Sequence, residues 1–323
     1  MVTISRAPSY TLRVGACECS DWVLIRVEEA YMTAANATKP TLVVGATGNI
    51  GRQVVFQLAA IGAPVRVMAR NPDSNEFPPV VEIVQGDLTL PETLDRCLSG
   101  IDTVFLVWTA PQAAVNDAVK LMAKHSRRIV FLSAPIKTPH PFFQQPNANR
   151  VLMEKIEQRI ESSGLEWTFL RPGMLAMNSR HFWGPQIRSG SLVRWPYLSA
   201  PTAPIDERDI GAVAVRVLSE SGHGAMEYVL TGPESLSQSE QVATIGRVIG
   251  KALQIEEITP DEARVELGAT MPAAVVNMLL DAWAAAIGQA AFITTTVEQI
   301  TGNPARTFGE WATDNASEFL AGD

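Results

Sequence analysis

The sequence predicts an α/β fold, a Rossmann-like doubly wound parallel sheet with a smaller, mainly helical C-terminal lobe. Three observations carry that prediction. Six short runs rich in Val, Ile and Leu recur between Thr41 and Pro172, and helix-like segments separate them. A glycine-rich turn follows the first run and opens the first helix. Near-continuous apolar runs suit strands covered on both faces, and their alternation with helices calls for right-handed crossovers.

In chain order the strands are TLVVGA (41–46), PVRVMA (64–69), VVEIVQG (80–86), DTVFLVW (102–108), RIVFLSA (128–134) and EWTFLRP (166–172). Helices are expected near 49–61, 91–99, 111–126 and 149–163, closing at Gly62, at Gly100, at a polar cluster and at Gly164. After Pro172 the rhythm changes. A stretch punctuated by Pro and Gly leads to a helix with Asp209 near its start, a strand EYVLTG (227–232), a helix opened by Ser237, and an Ala-rich apolar stretch at 273–291. The organisation read from this is an N-terminal extension (1–39), a dinucleotide-binding core (40–175) and a substrate lobe (176–323). The lobe is interleaved with the core in one compact unit, and 179–201 is a candidate lid over the substrate.

The chain has 323 residues, 46% of them apolar and 19% charged, with a net charge of -8. That is a globular composition with a large core. An acidic chain whose Lys and Arg are scattered argues against nucleic acid or an anionic membrane surface as partner. No run approaches the roughly 20 apolar residues that span a bilayer. Residues 1–39 lack a compact apolar core of the kind a secretory signal has. Cys17 and Cys19 are too closely spaced for a zinc pair, and Cys97 reads as core packing, so no metal is expected. Reduced thiols and a cytoplasmic location follow. The sequence assigns no oligomeric state.

The strongest chemical signal is Gly45-Ala46-Thr47-Gly48-Asn49-Ile50-Gly51, which follows a strand and opens a helix. Gly45 permits the tight turn, Gly48 lets the backbone approach a pyrophosphate, and Gly51 lets helix pack on strand. The N–H groups of Asn49 and Ile50 would face phosphate oxygens, aided by the helix dipole. A cofactor with a free ribose 2′-hydroxyl asks for Asp or Glu at the tip of the second strand. Ala69, Arg70 and Asn71 stand there instead. A guanidinium at Arg70 suits a 2′-phosphate, so NADPH is expected rather than NADH. Asp87 and Leu88, after the third strand, are candidates to flank the adenine.

The glycine loop, Gly86-Asp87-Leu88, SSGLEWTFLRPGM (162–174), PIDERDIGAVA (204–214) and TGNPARTFGEWATDNASEF (301–319) together resemble the atypical short-chain dehydrogenase/reductases of the NmrA-like group. The resemblance spans about residues 40–320. It extends to actinobacterial ketoreductases of aromatic polyketides, of the simocyclinone (angucyclinone) type. It implies NADP(H) binding and a small lobe that forms the substrate pocket. It places Trp108, Thr109 and Ala110 beside the ribose and phosphates. Ser133, Ala134 and Pro135 fall under the nicotinamide ribose, with Pro172, Gly173 and Met174 along the nicotinamide.

One departure from the family pattern bears on mechanism. Typical reductases of the group carry Tyr and, four residues on, Lys at the start of the helix before the sixth strand. Those places fall at about Asn149 and Met153. Asn149 donates a hydrogen bond but is no acid, and Met153 does neither. Lys155 lies two positions off, on another face of the helix. Ser133, Asn149 and His181 remain as candidate catalytic groups, with His140 also near enough to consider. An aromatic substrate is expected among Phe142, Phe143, Met153, Met174, Met177, His181, Phe182 and Trp183. The reading is hydride transfer from NADPH to an aromatic-polyketide ketone in antibiotic biosynthesis, the proton coming from solvent, from Ser133 or Asn149 through water, or from a phenol of the substrate itself. A quinone or azo-dye reductase, or a cofactor-sensing module that catalyses nothing, are the alternatives.

Overall fold

The computed structural model describes residues 39–71 and 76–320. The expected extension, with Cys17 and Cys19, lies outside the described residues apart from Lys39. Strands β1 (Thr41–Val44), β2 (Val65–Ala69), β3 (Glu82–Gln85), β4 (Thr103–Val107), β5 (Arg128–Leu132) and β6 (Glu166–Pro172) fall inside the six predicted runs. Most are shorter by one or two residues at their C-terminal ends. Gly45, Gly86, Trp108 and Ser133 follow these ends, and the N–H groups of Gly86 and Ser133 still bond the neighbouring strands at Ala69 and Leu170. With β9 (Met226–Leu230) they form one seven-stranded sheet, ordered β3-β2-β1-β4-β5-β6-β9 and parallel throughout. The order reverses direction between β1 and β4, which is where such sheets bind ligands.

Helices α1 (Asn49–Ala60), α2 (Pro91–Leu98), α3 (Val115–His125), α4 (Ala148–Glu161) and α7 (Glu207–Ser219) cover the two faces. The alternation of side chains along each strand divides the core. Val43, Phe105, Val130 and Leu170 face Val54 and Leu58 of α1 and Ile210, Val213 and Val217 of α7. Leu42, Val104, Ile129 and Phe169 face Leu94, Val119, Met122, Ile156 and Ile160 on the other side. Cys97 is fully buried in that second layer, where burial pushes its thiol pKa up.

The chain crosses the boundary expected at 175 more than once, because α7 and β9 return to the sheet. Helix α7 lies closely on α1 at Gly211, where an added Cβ would stand 2.7 Å from Gln57 Nε2 and 2.9 Å from Gln53 Cβ. The two family segments at 204–214 and 301–319 meet here. Asp209 accepts the backbone N–H of Arg306 at 2.7 Å and pairs with its guanidinium. Glu207 accepts the indole N–H of Trp311 at 3.1 Å, and Arg208 pairs with Asp314 at 2.6 Å. Burial raises the carboxyl pKa values of Glu207 and Asp209, and Arg306 offsets part of the effect on Asp209.

The lobe contains α5 (Asn178–Phe182), α6 (Gly184–Ser189), β7 (Leu192–Trp195), β8 (Pro201–Thr202), β10 (Leu236–Ser237), α8 (Gln238–Val248), β11 (Gln254–Glu257), α9 (Pro260–Gly268), α10 (Ala273–Ala286) and α12 (Phe308–Asp314), while α11 (Thr296–Thr301) packs back on α7. The segment 179–201, expected as a lid, is packed into the lobe. Trp183 and Trp195 are 1% and 0% exposed, packed edge to face at 5.8 Å, and Trp195 meets Trp283 of α10 at 5.5 Å. Strand β7 also pairs in parallel with β11. Moving this whole segment away would expose three indoles at once. Among the described residues no helix is long and apolar enough to cross a membrane.

Candidate active site

The glycine loop sits at the reversal point of the sheet. Gly45 adopts φ +80, a conformation that side chains rarely take, and an added Cβ would meet Val107 Cβ at 2.7 Å. At Gly51 an added Cβ would stand 2.2 Å from the Gly45 oxygen and 2.9 Å from Ala46 Cα. That contact lets the first turn of α1 rest on the loop. Gly48 is the N-cap residue, and no side chain caps the helix behind it. Thr47, Gly48 and Asn49 are exposed, and no acidic residue stands in the first turn. Backbone donors and the positive end of the dipole are therefore left for an anion, so these residues fit the pyrophosphate of a dinucleotide.

Arg70 is exposed at the tip of β2, with its carbonyl held by Gln85 Nε2 at 3.0 Å. Asp87 stands nearby and is already engaged. Its Oδ1 accepts the N–H of Thr89 at 2.8 Å and the Thr89 hydroxyl at 2.7 Å. These bonds, with the charge of Arg70 adding to them, hold its carboxyl below the usual range. Leu88 is 5% exposed and packs in the core with Leu94 and Cys97, which withdraws its side chain from the expected adenine contact. Trp108 folds back so that its indole N–H donates to the Ala110 carbonyl at 2.5 Å, shaping the turn that leaves β4 and keeping Thr109 exposed.

Ser133 follows β5 and is 7% exposed. Its hydroxyl donates to Glu157 at 2.6 Å. Glu157 in turn accepts from Arg171 Nε at 2.9 Å and from Nη2 at 2.6 Å, both side chains being 2% exposed. Arg171 reaches Glu227 at 2.5 Å, and Glu227 takes Lys137 at 2.7 Å. Burial opposes the charge on Arg171, but Glu157 and Glu227 outweigh it and raise its pKa. The Ser133 hydroxyl hydrogen is thus directed at a carboxylate that also pairs with Arg171, away from the end of β5. The hydroxyl oxygen can still accept. The sequence carried a signal for this network, because an Arg inside an apolar strand and a Glu on the sheet-facing stripe of α4 require partners.

A cavity of about 310 Å³ opens beside the ends of β5 and β6. Ala134, Pro135 and Ile136 form one wall, and Pro172, Gly173 and Met174 form another. Phe142 and Phe143 pack edge to face at 5.1 Å along its side. Met278, Leu279 and Ala282 of α10 close it from the lobe. Asn147, Asn149 and Arg150 supply a polar end from the first turn of α4. Of the expected residues, Ala134, Phe142, Phe143, Asn149, Pro172, Gly173 and Met174 are thus brought together.

Others are not. Met153 is 8% exposed in the core beneath α4, because one turn past Asn149 the helix already lies over the sheet. Met177, Phe182 and Trp183 belong to the tryptophan-rich core of the lobe. His181 is exposed and lines no part of the cavity, since the helical period turns Asn178 and Phe182 inward and His181 outward. His140 is committed as well. Its Nδ1 accepts the N–H of Phe142 at 3.3 Å and its Nε2 meets the Ala290 carbonyl at 2.9 Å. His223 is half-buried and bonded to the Tyr228 hydroxyl at 2.8 Å, away from the cavity lining. The α10 contribution had no local signal, since Met278 to Ala282 lie more than a hundred positions from the strand ends they face.

Comparison with known proteins agrees with this geometry. A family model described as NAD(P)H-binding matches residues 45–221. A (4-alkanoyl-5-oxo-2,5-dihydrofuran-3-yl)methyl phosphate reductase from Streptomyces griseus subsp. griseus is 38% identical over 285 residues, covering 86% of this chain and 98% of its own. An NAD(P)H azoreductase from Xenophilus azovorans is 32% identical over 291 residues, covering 87% of this chain and 99% of its own. Among solved structures, an NADPH-dependent quinone oxidoreductase from Escherichia coli complexed with NADPH superposes with a TM-score of 0.71 at 20% identity, covering 85% of this chain and 99% of that one.

Proposed function

Since this chain belongs to the NAD(P)H-binding family of oxidoreductases, we propose that it transfers hydride from NADPH to a conjugated carbonyl compound held in the 310 Å³ cavity. The observation that carries this reading is the position of the cavity. It is walled by the residues that follow β5 and β6, on the sheet edge where the glycine loop presents its uncapped helix. The cofactor would supply the hydride. This chain's residues hold it through Gly45–Gly51 and Arg70, and keep the acceptor flat between Phe142, Phe143 and Met174. Those apolar walls also exclude water from the acceptor face.

The proton is the distinctive part. The Ser133 hydroxyl donates its hydrogen bond to Glu157, and positions 149 and 153 carry no acid. The proton therefore comes from water at the polar end of the cavity or from the substrate. An angucyclinone-type ketone of an aromatic polyketide, in antibiotic biosynthesis, has a phenol beside its carbonyl and suits that requirement. A conjugated furanone suits it too, because an enolate formed by hydride addition takes its proton from water. The Streptomyces griseus relative, similar over nearly its whole length, favours this second reading.

The test is NADPH oxidation against aromatic-polyketide ketones, quinones, azo dyes and alkanoyl furanones. Turnover with at least one class is expected. Tight NADPH binding with no consumption by any of them would replace the reductase by a cofactor-sensing module. Within an active enzyme, Asn149→Ala should keep substantial kcat, whereas complete loss with cofactor binding intact would place Asn149 in the proton transfer.

A further inference from the structure

We propose that the first turn of α4, with Arg150 at its centre, reads an anionic group on the substrate, and that this group is a phosphate monoester. The inference rests on the reductase reading above and names the substrate of that same cavity. Of the described residues lining the cavity, Arg150 alone is charged, and none is acidic. Its guanidinium is held in place at two points. Nε pairs with Glu154 at 3.0 Å, one turn along the helix, and Nη1 donates to the Phe143 carbonyl at 3.1 Å. A guanidinium has five N–H groups, so three remain for a ligand. The side chain is 23% exposed, which keeps it reachable without leaving it mobile in water.

The backbone beneath it points the same way. Asn147 caps α4 by accepting the N–H of Arg150 at 2.8 Å, and its neutral amide adds no charge. No acidic residue stands in the first turn of this fourteen-residue helix, so its positive end is not neutralised. The amides of Asn147 and Asn149 line the same polar end of the cavity. Anchored guanidinium, uncompensated helix start and an acid-free lining together form a site for an anion, set against apolar walls that hold the rest of the molecule.

Glu154 decides which anion. Its carboxylate already holds Arg150 Nε, so a singly charged group would compete with it on roughly equal terms. A phosphate monoester carries about -1.5 to -2 charges at neutral pH and three acceptor oxygens. It can take the three remaining N–H groups and still gain from the helix start. A phenol or a neutral ketone draws nothing from this arrangement, which separates this substrate class from an aromatic-polyketide ketone.

The experiment uses two furanone acceptors that differ only in carrying a methyl phosphate or a free hydroxymethyl group. Binding to the enzyme–NADP⁺ complex is measured by calorimetry, and KM by NADPH oxidation. The wild-type enzyme should prefer the phosphate at least about tenfold, the scale of one charge-assisted bond. Arg150→Gln should bring the phosphate-to-alcohol ratio close to one, and Arg150→Lys should restore part of it. Glu154→Gln, at a half-exposed position outside the core, should raise the ratio by removing the competing carboxylate. Equal binding of both acceptors by the wild type overturns the proposal. So does a ratio that Arg150→Gln and Glu154→Gln leave unchanged. A calorimetric preference without NADPH oxidation leaves the anion site standing and removes the reductase reading. Oxidation with equal KM values does the reverse.

Discussion

Helix α1 and the lobe helices α8, α9 and α12 begin in different ways. Each of these three lobe helices opens with a reciprocal capping box. Ser237 and Glu240, Thr259 and Glu262, and Thr307 and Glu310 each exchange side-chain and backbone hydrogen bonds, and each helix has an acid in its first turn. Helix α1 has neither, although it lies at the centre of the fold and is packed on both sheet and α7. The cost of leaving its first N–H groups without a protein partner is met where a ligand supplies the acceptor. These three lobe helices meet their first N–H groups with their own side chains. Among these four helices, then, the bare start is the one that the glycine loop opens.

The sharpest way to break this contrast is to give α1 a cap. Gly48 has the extended backbone of an ordinary N-cap residue, and an added Cβ there meets only the Gly45 oxygen, at 3.3 Å. Gly48→Asp should leave the melting temperature of the cofactor-free protein unchanged or higher, yet weaken NADPH by on the order of a hundredfold as its carboxylate repels the pyrophosphate. A variant that binds NADPH normally would show that the bare N-terminus is not the phosphate site. Next in size is Arg70→Ala. It should weaken NADPH by about 1.5–3 kcal/mol, the value of hydrogen bonds to a charged group. NADH should be nearly unaffected, and equal losses in a direct titration would remove the 2′-phosphate contact.

On the lobe side, Thr307→Ala removes a cap without touching the cofactor. It should cost about 1 kcal/mol, a fall of roughly 2–4 °C in Tm for a chain of this size, with NADPH affinity unchanged. The smallest effect is in pH. The backbone N–H of Thr307, then its hydroxyl, lowers the carboxyl pKa of Glu310 from its ordinary 4.5. The stability this contributes is fully present above that ordinary value and is lost as pH falls through the lowered one. Glu310→Gln cannot titrate, so its Tm should decline less steeply on acidification than that of the wild type, by a few tenths of a kcal/mol in all. Parallel curves would mean that the box has no electrostatic part.

Legibility of the sequence followed the range of the forces involved. The strands were readable because burial on both faces leaves unbroken apolar runs, and the glycine loop because steric limits at Gly45 and Gly51 admit almost nothing else. Ser237 announced its helix by local capping chemistry. The same local reading did not show how 179–201 is packed, because Trp183 and Trp195 bury against Trp283 from far along the chain. It also failed for His181 and Met153. Both are of a suitable type near the site in sequence, but helical phase turns one to solvent and the other into the core. The pairing of Glu157 with Arg171 was implied by their burial, yet the role it imposes on Ser133 depends on a bond that spans two elements. Cavity walls from α10 have no representation in the sequence near β5 and β6 at all.

The close contact at Gly211 has a consequence for how this protein fails. Helix α7 supports α1 on one side and is tied to the chain's last segment by Asp209–Arg306 and Glu207–Trp311 on the other. If residues 301–319 fray, two buried carboxylates lose their partners on the very helix that braces the phosphate loop. Damage at the far end of the chain is therefore transmitted to cofactor retention without touching the cofactor.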